Sequence, residues 1–182
     1  KEVLAYLGND LSFSFHKPPL QTNKSKHTQI MEKRTIHHPA LISYLKSRKI
    51  PLIIGRQYLN EVVYKQNTKS FFALGLENHL GGWELRNKFQ KTCSSPKSYT
   101  WLRREKNTLV MVEGMFDLLS LSTMSPITVY ESDILVLNSI AFIADVTKLV
   151  PNYKNIRLYL DNDNAGNSAT KELMQQFDTI ID

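Results

Sequence analysis

Three carboxylates stand directly after short apolar runs in the second half of the chain. Glu113 follows residues 109–112, and Asp161 and Asp163 follow residues 156–160. Residues 109–112 are typical of a strand buried on both faces, residues 156–160 also predict a strand, and in open α/β sheets ligands bind outside the carboxyl ends of the strands. Asp161 and Asp163 are two residues apart, so on extended backbone they point the same way. The spacing predicts that the three carboxylates meet at one sheet edge.

Carboxylates this close together favour a divalent cation. Like charges repel at short range, and Mg²⁺ prefers a few carboxylate oxygens together with water and substrate phosphates. Taken separately, a Glu-Gly pair and an Asp-x-Asp turn are more often a polar loop or a helix cap. Their joint occurrence after strands of successive βα units favours a site for Mg²⁺ or Mn²⁺.

The elements that position these residues alternate between strand and helix. The pattern predicts strands at residues 109–112, 134–137, 156–160 and 179–181, and helices around 116–121, 141–149 (closed by Pro151) and 169–177. This alternation is typical of a parallel sheet with right-handed crossovers. We therefore expect one α/β domain over residues 108–182.

The first half has a different pattern. The pattern of residues 39–107 predicts a small α+β unit. Its helices are expected at 39–45 and 51–59 and its strands at 61–65, 71–76 and 83–86, with a turn at Gly81-Gly82 before the last strand. Residues 1–38 predict an irregular arm or linker, because prolines and a polar run interrupt every periodicity. His37 and His38 are interpreted as a polar turn. Because the chain starts at Lys1, we expect a fragment of a longer protein.

Composition narrows the class of protein. Apolar residues make up 42% of the 182 residues, which is enough for a packed core. The single cysteine, Cys93, excludes an internal disulfide and a Cys-rich zinc site. The sequence contains neither a signal-peptide pattern nor eighteen consecutive apolar residues, so no membrane span is expected. A reducing cytoplasm is the expected location.

Charge is distributed unevenly along the chain. Residues 1–107 carry 19 basic and 7 acidic residues, a net charge of +12, whereas residues 108–182 carry 4 basic and 10 acidic residues, a net charge of −6. A basic surface attracts polyphosphates, and clustered carboxylates attract hard cations. The alternative is that both halves present ordinary solvated surfaces.

Two segments carry a resemblance to a known family. Residues 110–117 (Val-Met-Val-Glu-Gly-Met-Phe-Asp) resemble the first Toprim motif, and residues 160–166 (Leu-Asp-Asn-Asp-Asn-Ala-Gly) resemble the second. The second is most similar to bacterial-type primases, in which it commonly reads Asp-x-Asp-x-Ala-Gly. Residues 137–141 stand where those primases place a turn that usually contains glycine. A weaker resemblance extends upstream through residues 71–86 and 91–97, so that it covers roughly residues 39–182.

The resemblance implies a role for each matching residue. Asp161 and Asp163 would hold one or two divalent ions, and Glu113 would act as a general acid/base or an indirect metal ligand. Supporting roles fall on residues of the two turns: Gly114, Asp117 and Gly166. An acid at position 117 also suits the first turn of a helix for purely structural reasons.

Basic and aromatic residues of the first half are candidates for nucleic-acid or nucleotide binding. The basic ones, which could hold template or nucleotide phosphates, are Arg86, Lys88, Lys91 and Lys97. The aromatic ones, which could stack on unpaired bases, are Trp83, Tyr99 and Trp101. For each residue alone, a solvated charge or a core aromatic is the more common role.

The resemblance implies a fold and a function. The expected fold class is α/β, with a Toprim domain (a Rossmann-like parallel sheet flanked by helices) preceded by a small basic α+β domain. The expected function is DNA-primase-like nucleotidyl transfer, with a single-stranded DNA template, nucleoside triphosphates and a replicative helicase as partners. A zinc-binding module, which primases carry, would lie before Lys1. The alternatives are a Toprim nuclease or topoisomerase, a non-catalytic single-stranded DNA-binding module and, last, a phosphate-accepting signalling domain.

Overall fold

The computed structural model describes residues 28–178 and 180–181, which form two five-stranded sheets. The first sheet is antiparallel, with strands in sequence order: β1 (Thr28–Arg34), β2 (Asn60–Gln66), β3 (Lys69–Glu77), β4 (Trp83–Arg86) and β5 (Lys91–Cys93). Two helices connect β1 to β2: α1 (Pro39–Ser47) and α2 (Leu52–Tyr58). The expected α+β unit is therefore present.

The predicted irregular arm is wrong for residues 28–34. These residues form β1, which pairs with β2 from Thr28 opposite Gln66 to Arg34 opposite Glu61. β1 is an edge strand whose side chains are mostly exposed, so it lacks the apolar alternation that identifies a strand from sequence. Residues 35–38 of the predicted arm have no regular secondary structure, and residues 1–27 lie outside the described residues.

The second sheet contains the expected parallel strands. Its order is β10-β9-β7-β8-β6, with β7 (Thr108–Val112), β8 (Asp133–Val136), β9 (Asn155–Tyr159) and β10 (Ile180–Ile181) parallel to one another. β6 (Thr100–Leu102) pairs antiparallel with β8 at the edge. The helices around it are α3 (Met115–Met124), α4 (Pro126–Tyr130), α5 (Ile143–Val146) and α6 (Asn164–Gln176). The predicted α/β fold is confirmed.

Two predicted helices differ from the observed ones. The helix expected at residues 141–149 is divided into a 3-10 turn (Ile140–Phe142), the single turn α5 and a second 3-10 turn (Thr147–Asn152) that includes Pro151. α6 begins at Asn164, five residues earlier than the apolar pattern suggested, because the side chain of Asp163 caps its first turn.

β7 lies at the centre of the molecule and is buried on both faces. Val110 and Val112 pack with side chains of the first sheet and of α1 and α3, whereas Leu109 and Met111 belong to a second core with β8, β9 and α6. The two halves of the chain therefore share one of their cores. Among the described residues, none of the helices combines the length and apolar character needed to span a membrane.

Candidate active site

The turn after β7 carries Glu113 and Gly114. Gly114 is the N-cap of α3, and its backbone N–H donates to Asp117 Oδ2 at 2.8 Å. In return the Asp117 N–H donates to the Gly114 carbonyl at 3.1 Å. Asp117 thus closes the strand-to-helix turn that presents Glu113, which is the structural role expected for an acid in the first helical turn.

The turn after β9 carries Asp161 and Asp163. Because β9 pairs directly with β7, with Tyr159 opposite Val112, the two turns lie side by side. The Asp161 N–H donates to Glu113 Oε2 at 3.2 Å and joins them. The sequence-based expectation that parallel strands deliver Glu113 and Asp161 to one edge agrees with this contact.

Asp163 faces its own helix. Its Oδ1 accepts from the backbone N–H groups of Ala165 at 3.0 Å and Gly166 at 2.9 Å. Gly166 in turn packs against the backbone of Asp161, and a Cβ at this position would run into the Asp161 carbonyl oxygen. The close backbone approach that Gly166 permits is therefore the one that folds the Asp161–Asp163 turn onto α6.

The electrostatic field at this edge is negative. Burial raises the pKa of Glu113, and the hydrogen bond from the Asp161 N–H opposes this effect. The carboxylates of Asp161, Asp163 and Asp117 raise the pKa of Glu113 further by repulsion. Burial also raises the pKa of Asp117, against the hydrogen bond from Gly114. A bound cation would relieve this repulsion.

Basic residues of the first sheet face these acids across a small cavity of about 70 Å³. Arg86 and Lys91, which are paired opposite each other on β4 and β5, both line it. The lining residues are Glu84, Arg86, Lys91, Glu113, Gly114, Met115, Asp117, Asn138 and Asp161. The cavity therefore joins the hairpin of the first sheet to the carboxyl edge of the second.

A larger cavity of about 490 Å³ adjoins the first. The two share Glu84, Lys91 and Asn138, and the larger one extends to Lys97 and Phe142. Burial raises the pKa of Glu84, while the charges of Lys91, Arg86 and Lys97 oppose this shift. Cations thus line the space between the acidic edge and the larger cavity.

Asn138 ties the turn after β8 to both halves. Its φ is +62°, a left-handed conformation that glycine and asparagine tolerate best. Its N–H donates to the Glu113 carbonyl at 2.8 Å, and its Nδ2 donates to the Ser98 carbonyl at 2.9 Å and to Thr100 Oγ1 at 3.2 Å. Because asparagine tolerates this conformation, the turn at residues 137–141 forms without a glycine.

Comparisons with known proteins agree with this architecture. A family model described as Toprim-like matches residues 110–181, which span β7 to β10. Residues 110–181 form a Toprim domain. A second model, described as a domain of unknown function (DUF8464), matches residues 30–95, which correspond to the first sheet. No curated protein sequence matches the chain significantly.

Solved primase structures have the same fold. The crystal structure of the primase fragment of the bacteriophage T7 primase-helicase protein has a TM-score of 0.56 at 16% identity, covering 82% of this chain and 72% of that chain. A chain from the structure of the T7 lagging-strand DNA polymerase with primase domains of two gp4 subunits, an RNA/DNA hybrid and dTTP has a TM-score of 0.57 at 16% identity, covering 81% and 78%. The chain that contains the Toprim domain therefore has a primase-like fold.

The Toprim domain has hard oxygen donors that fit a divalent cation. Glu113, Asp161 and Asp163 supply only carboxylate oxygens, which are the ligands that Mg²⁺ prefers. Within the described ranges, no three histidine, cysteine, aspartate or glutamate side chains are already grouped as a metal centre. One Asp163 oxygen is engaged in capping α6. The assignment of these three residues as metal ligands stays a prediction.

The basic candidates occupy different places. Arg86 and Lys91 line the small cavity beside the Toprim carboxylates, and Lys97 lines the larger one. Lys88 lies in the turn between β4 and β5, where its Nζ is 5.9 Å from the centroid of the Phe89 ring. The pairing of Arg86 with Lys91 across the hairpin was not apparent from sequence, because β5 is only three residues long.

The aromatic candidates are engaged in contacts within the protein. Trp83 is 4% exposed in the core of the first sheet. Tyr99 stacks on His79 with ring centroids 4.0 Å apart, and the indole N–H of Trp101 donates to the Tyr153 hydroxyl at 3.1 Å. Phe89, in the turn between β4 and β5, is an exposed aromatic that sequence reasoning missed, because nothing in the local pattern distinguishes it from a core residue.

Proposed function

We propose that this chain is a DNA-primase-like nucleotidyltransferase that makes RNA primers on single-stranded DNA. The observation that carries the proposal is the cavity in which Arg86 and Lys91 face Glu113 and Asp161. Phosphoryl transfer is catalysed mainly by positioning and by charge stabilisation. The cations and carboxylates of this cavity, together with the larger cavity beside it, suit a triphosphate and divalent ions.

The carboxylates form the metal-binding wall. Glu113, Asp161 and Asp163 would hold Mg²⁺ or Mn²⁺, and Asp117 keeps the Glu113 turn in place through its bond with Gly114. When bound, the metal would activate the primer 3′-hydroxyl and offset charge on the transferring phosphoryl group. Burial raises the pKa of Glu113, which would suit this carboxylate to exchange a proton at the reacting hydroxyl.

The basic wall would hold the substrates. Arg86 and Lys91 are placed to pair with triphosphate oxygens beside the carboxylates, and Lys97 is placed to neutralise phosphate in the larger cavity. The volume of that cavity, about 490 Å³, falls within the range of ordinary small-molecule sites. Lys88 would contact the template backbone from the turn of the hairpin.

The organisation of the protein forms part of the proposal. The basic domain would extend to about residue 107 and the Toprim domain would follow it, although β6 (Thr100–Leu102) joins the sheet of the Toprim domain. A primase fragment of a primase-helicase protein shares the fold, which supports a replicative helicase as a partner of this chain. Single-stranded DNA and nucleoside triphosphates are the proposed substrates.

The test is template-directed incorporation of labelled ribonucleotides on single-stranded DNA with Mg²⁺ or Mn²⁺. We compare the wild-type chain with Asp161→Asn and with Glu172→Gln, which removes one negative charge from an exposed position on α6. Short products that disappear in Asp161→Asn and persist in Glu172→Gln would support the proposal. Cleavage of the DNA without incorporation would indicate a Toprim nuclease, and strand binding without either reaction would indicate a binding module.

A second readout does not require a complete reaction. Mn²⁺ bound by the carboxylates stabilises the folded chain by mass action, so the wild-type chain and Glu172→Gln should melt at a higher temperature when Mn²⁺ is added. Asp161→Asn should show a smaller increase. Equal increases in all three proteins would contradict the assignment of Asp161 as a metal ligand.

A further inference from the structure

The turn that joins β4 to β5 is held by a network of hydrogen bonds. The Asn87 N–H donates to the Gln90 carbonyl at 3.1 Å, and Asn87 Oδ1 accepts from the backbone N–H groups of Phe89 and Gln90, both at 2.9 Å. Asn87 Nδ2 also donates to the Phe72 carbonyl on β3 at 3.0 Å. Lys88 and Phe89 are therefore presented on a fixed turn.

Phe89 is a large apolar side chain in water. It is 90% exposed, the highest value among the exposed apolar side chains of the described residues. Lys88 Nζ lies 5.9 Å from the ring centroid and leaves most of the ring accessible. An exposed aromatic ring beside a cation, on a turn that cannot retract it, is a suitable surface for the π-face of a nucleobase.

The position of this turn connects it with the acidic cavity. Phe89 is two residues from Lys91 and three from Arg86, which form the last rung of the hairpin and line that cavity. The ring is therefore carried by the same hairpin as the cations of the cavity. A strand that rests on Phe89 can follow this hairpin toward the cavity.

A neighbouring turn extends the basic surface. Gln90 Nε2 donates to Gln66 Oε1 at 2.9 Å, and Gln66 Nε2 donates to Thr92 Oγ1 at 2.9 Å, which fastens the β4–β5 hairpin to the β2–β3 hairpin. The latter carries two exposed lysines, Lys65 and Lys69. Exposed cations thus stand on both of the joined hairpins, and one of them lies beside the exposed ring, which favours a polyanion with flat unpaired bases over an apolar protein segment.

We propose that Phe89 stacks on a base of an unpaired nucleic-acid strand and that Lys88 holds the adjoining phosphate. The strand enters over the tip of the hairpin and runs toward the acidic cavity. The direction toward that cavity rests on the proposed function, in which the strand is the template. The stacking contact itself requires neither metal nor nucleotide.

The experiment measures the affinity of the full 182-residue chain for a fluorescent oligothymidylate by anisotropy. EDTA is present and nucleotides are absent. Phe89→Ala should weaken binding about 5- to 30-fold, the lower part of the range for loss of one base–aromatic stack. Phe89→Trp should bind at least as tightly as the wild-type chain. Ile127→Ala, at an apolar side chain on α4 that is 77% exposed, is the matched control and should not change the affinity.

A strand with abasic sugars in place of every base completes the test. On this probe the wild-type chain and Phe89→Ala should bind equally, because the phosphates remain and the stack does not. Equal affinity of the two proteins for oligothymidylate overturns the proposal. An equal loss of affinity for both probes in Phe89→Ala also overturns it, as does a folded wild-type chain that binds neither probe. The binding measurement does not depend on primer synthesis, which the Asp161→Asn variant tests. The stacking contact and the proposed reaction can therefore be refuted independently of each other.

Discussion

Asp163 has two candidate roles, which two substitutions separate. As the N-cap of α6, its Oδ1 accepts from Ala165 at 3.0 Å and from Gly166 at 2.9 Å. As a metal ligand, it would act through its negative charge. Asp163→Ala removes both the acceptor and the charge. Asp163→Asn keeps a side-chain oxygen that caps helices as well as aspartate does, and removes only the charge.

The magnitudes follow from the geometry. Replacing an N-cap aspartate by alanine costs about 1 kcal/mol, within a range of roughly 0.5 to 2. Losing the charge at the helix N-terminus adds about 0.3 to 1 kcal/mol. In a chain of this size each kcal/mol shifts Tm by about 2 to 4 °C. Asp163→Ala should therefore lower Tm by about 3 to 7 °C, and Asp163→Asn by about 1 to 3 °C.

Thermal unfolding is to be measured beside metal-dependent primer synthesis for both variants. Both variants should lose activity, whereas only Asp163→Ala should show the larger decrease in Tm. An asparagine variant with wild-type activity and a wild-type Mn²⁺ response would show that Asp163 is a helix cap alone. An alanine variant with an unchanged Tm would refute the stabilisation that is assigned to the Asp163 cap.

Two further predictions concern stability and the site. Burial alone would raise the pKa of Glu61, but hydrogen bonds from the His37 N–H, the Arg34 guanidinium and the His38 N–H lower it from 4.5 to about 2. The ionised form thus adds roughly 3 kcal/mol above pH 4.5, of which about 2 kcal/mol is lost by pH 3. Urea unfolding at pH 7 and pH 3 should show this loss in the wild-type chain, and an equal loss in Glu61→Gln would contradict it. Gly166→Ala should destabilise the chain and reduce activity. The clash with the Asp161 carbonyl costs about 1 to 3 kcal/mol, which exceeds the gain of about 1 kcal/mol in helix propensity. Thermal unfolding and primer synthesis check this prediction, and a variant more stable than wild type would refute it.

The turn after β7 was predictable because the central strands of the second sheet have no exposed face. β7 and β8 are buried almost throughout, so each has a continuous apolar sequence that ends where the chain leaves the core. The residue after such a run is the first that can be polar, and for this reason Glu113 could be located from sequence. β9 alternates between exposed and buried residues, so Asp161 was located instead from the alternation of strands and helices and from the Asp-x-Asp pattern.

Other parts of the fold carry no such signal. β5 and β6 are three residues each, and β1 is an exposed edge strand, so their pairing depends on neighbours far away in sequence. The same holds for aromatic exposure. Trp83 and Phe89 are six residues apart, yet one lies in a core and the other in water. Only the tertiary contacts of the sheet decide between them.

The uneven charge of the sequence also acquires a spatial meaning in the fold. Read along the chain, the basic first half and the acidic second half suggest separate tasks. The shared core packs α1 and β3 against β7 and α3, and this arrangement brings the β4–β5 hairpin to the carboxyl ends of β7 and β9. Arg86 and Lys91 then share a cavity with Glu113 and Asp161. The fold thus brings two cations from the first half of the chain next to two carboxylates from the second half, and neither half provides this combination alone.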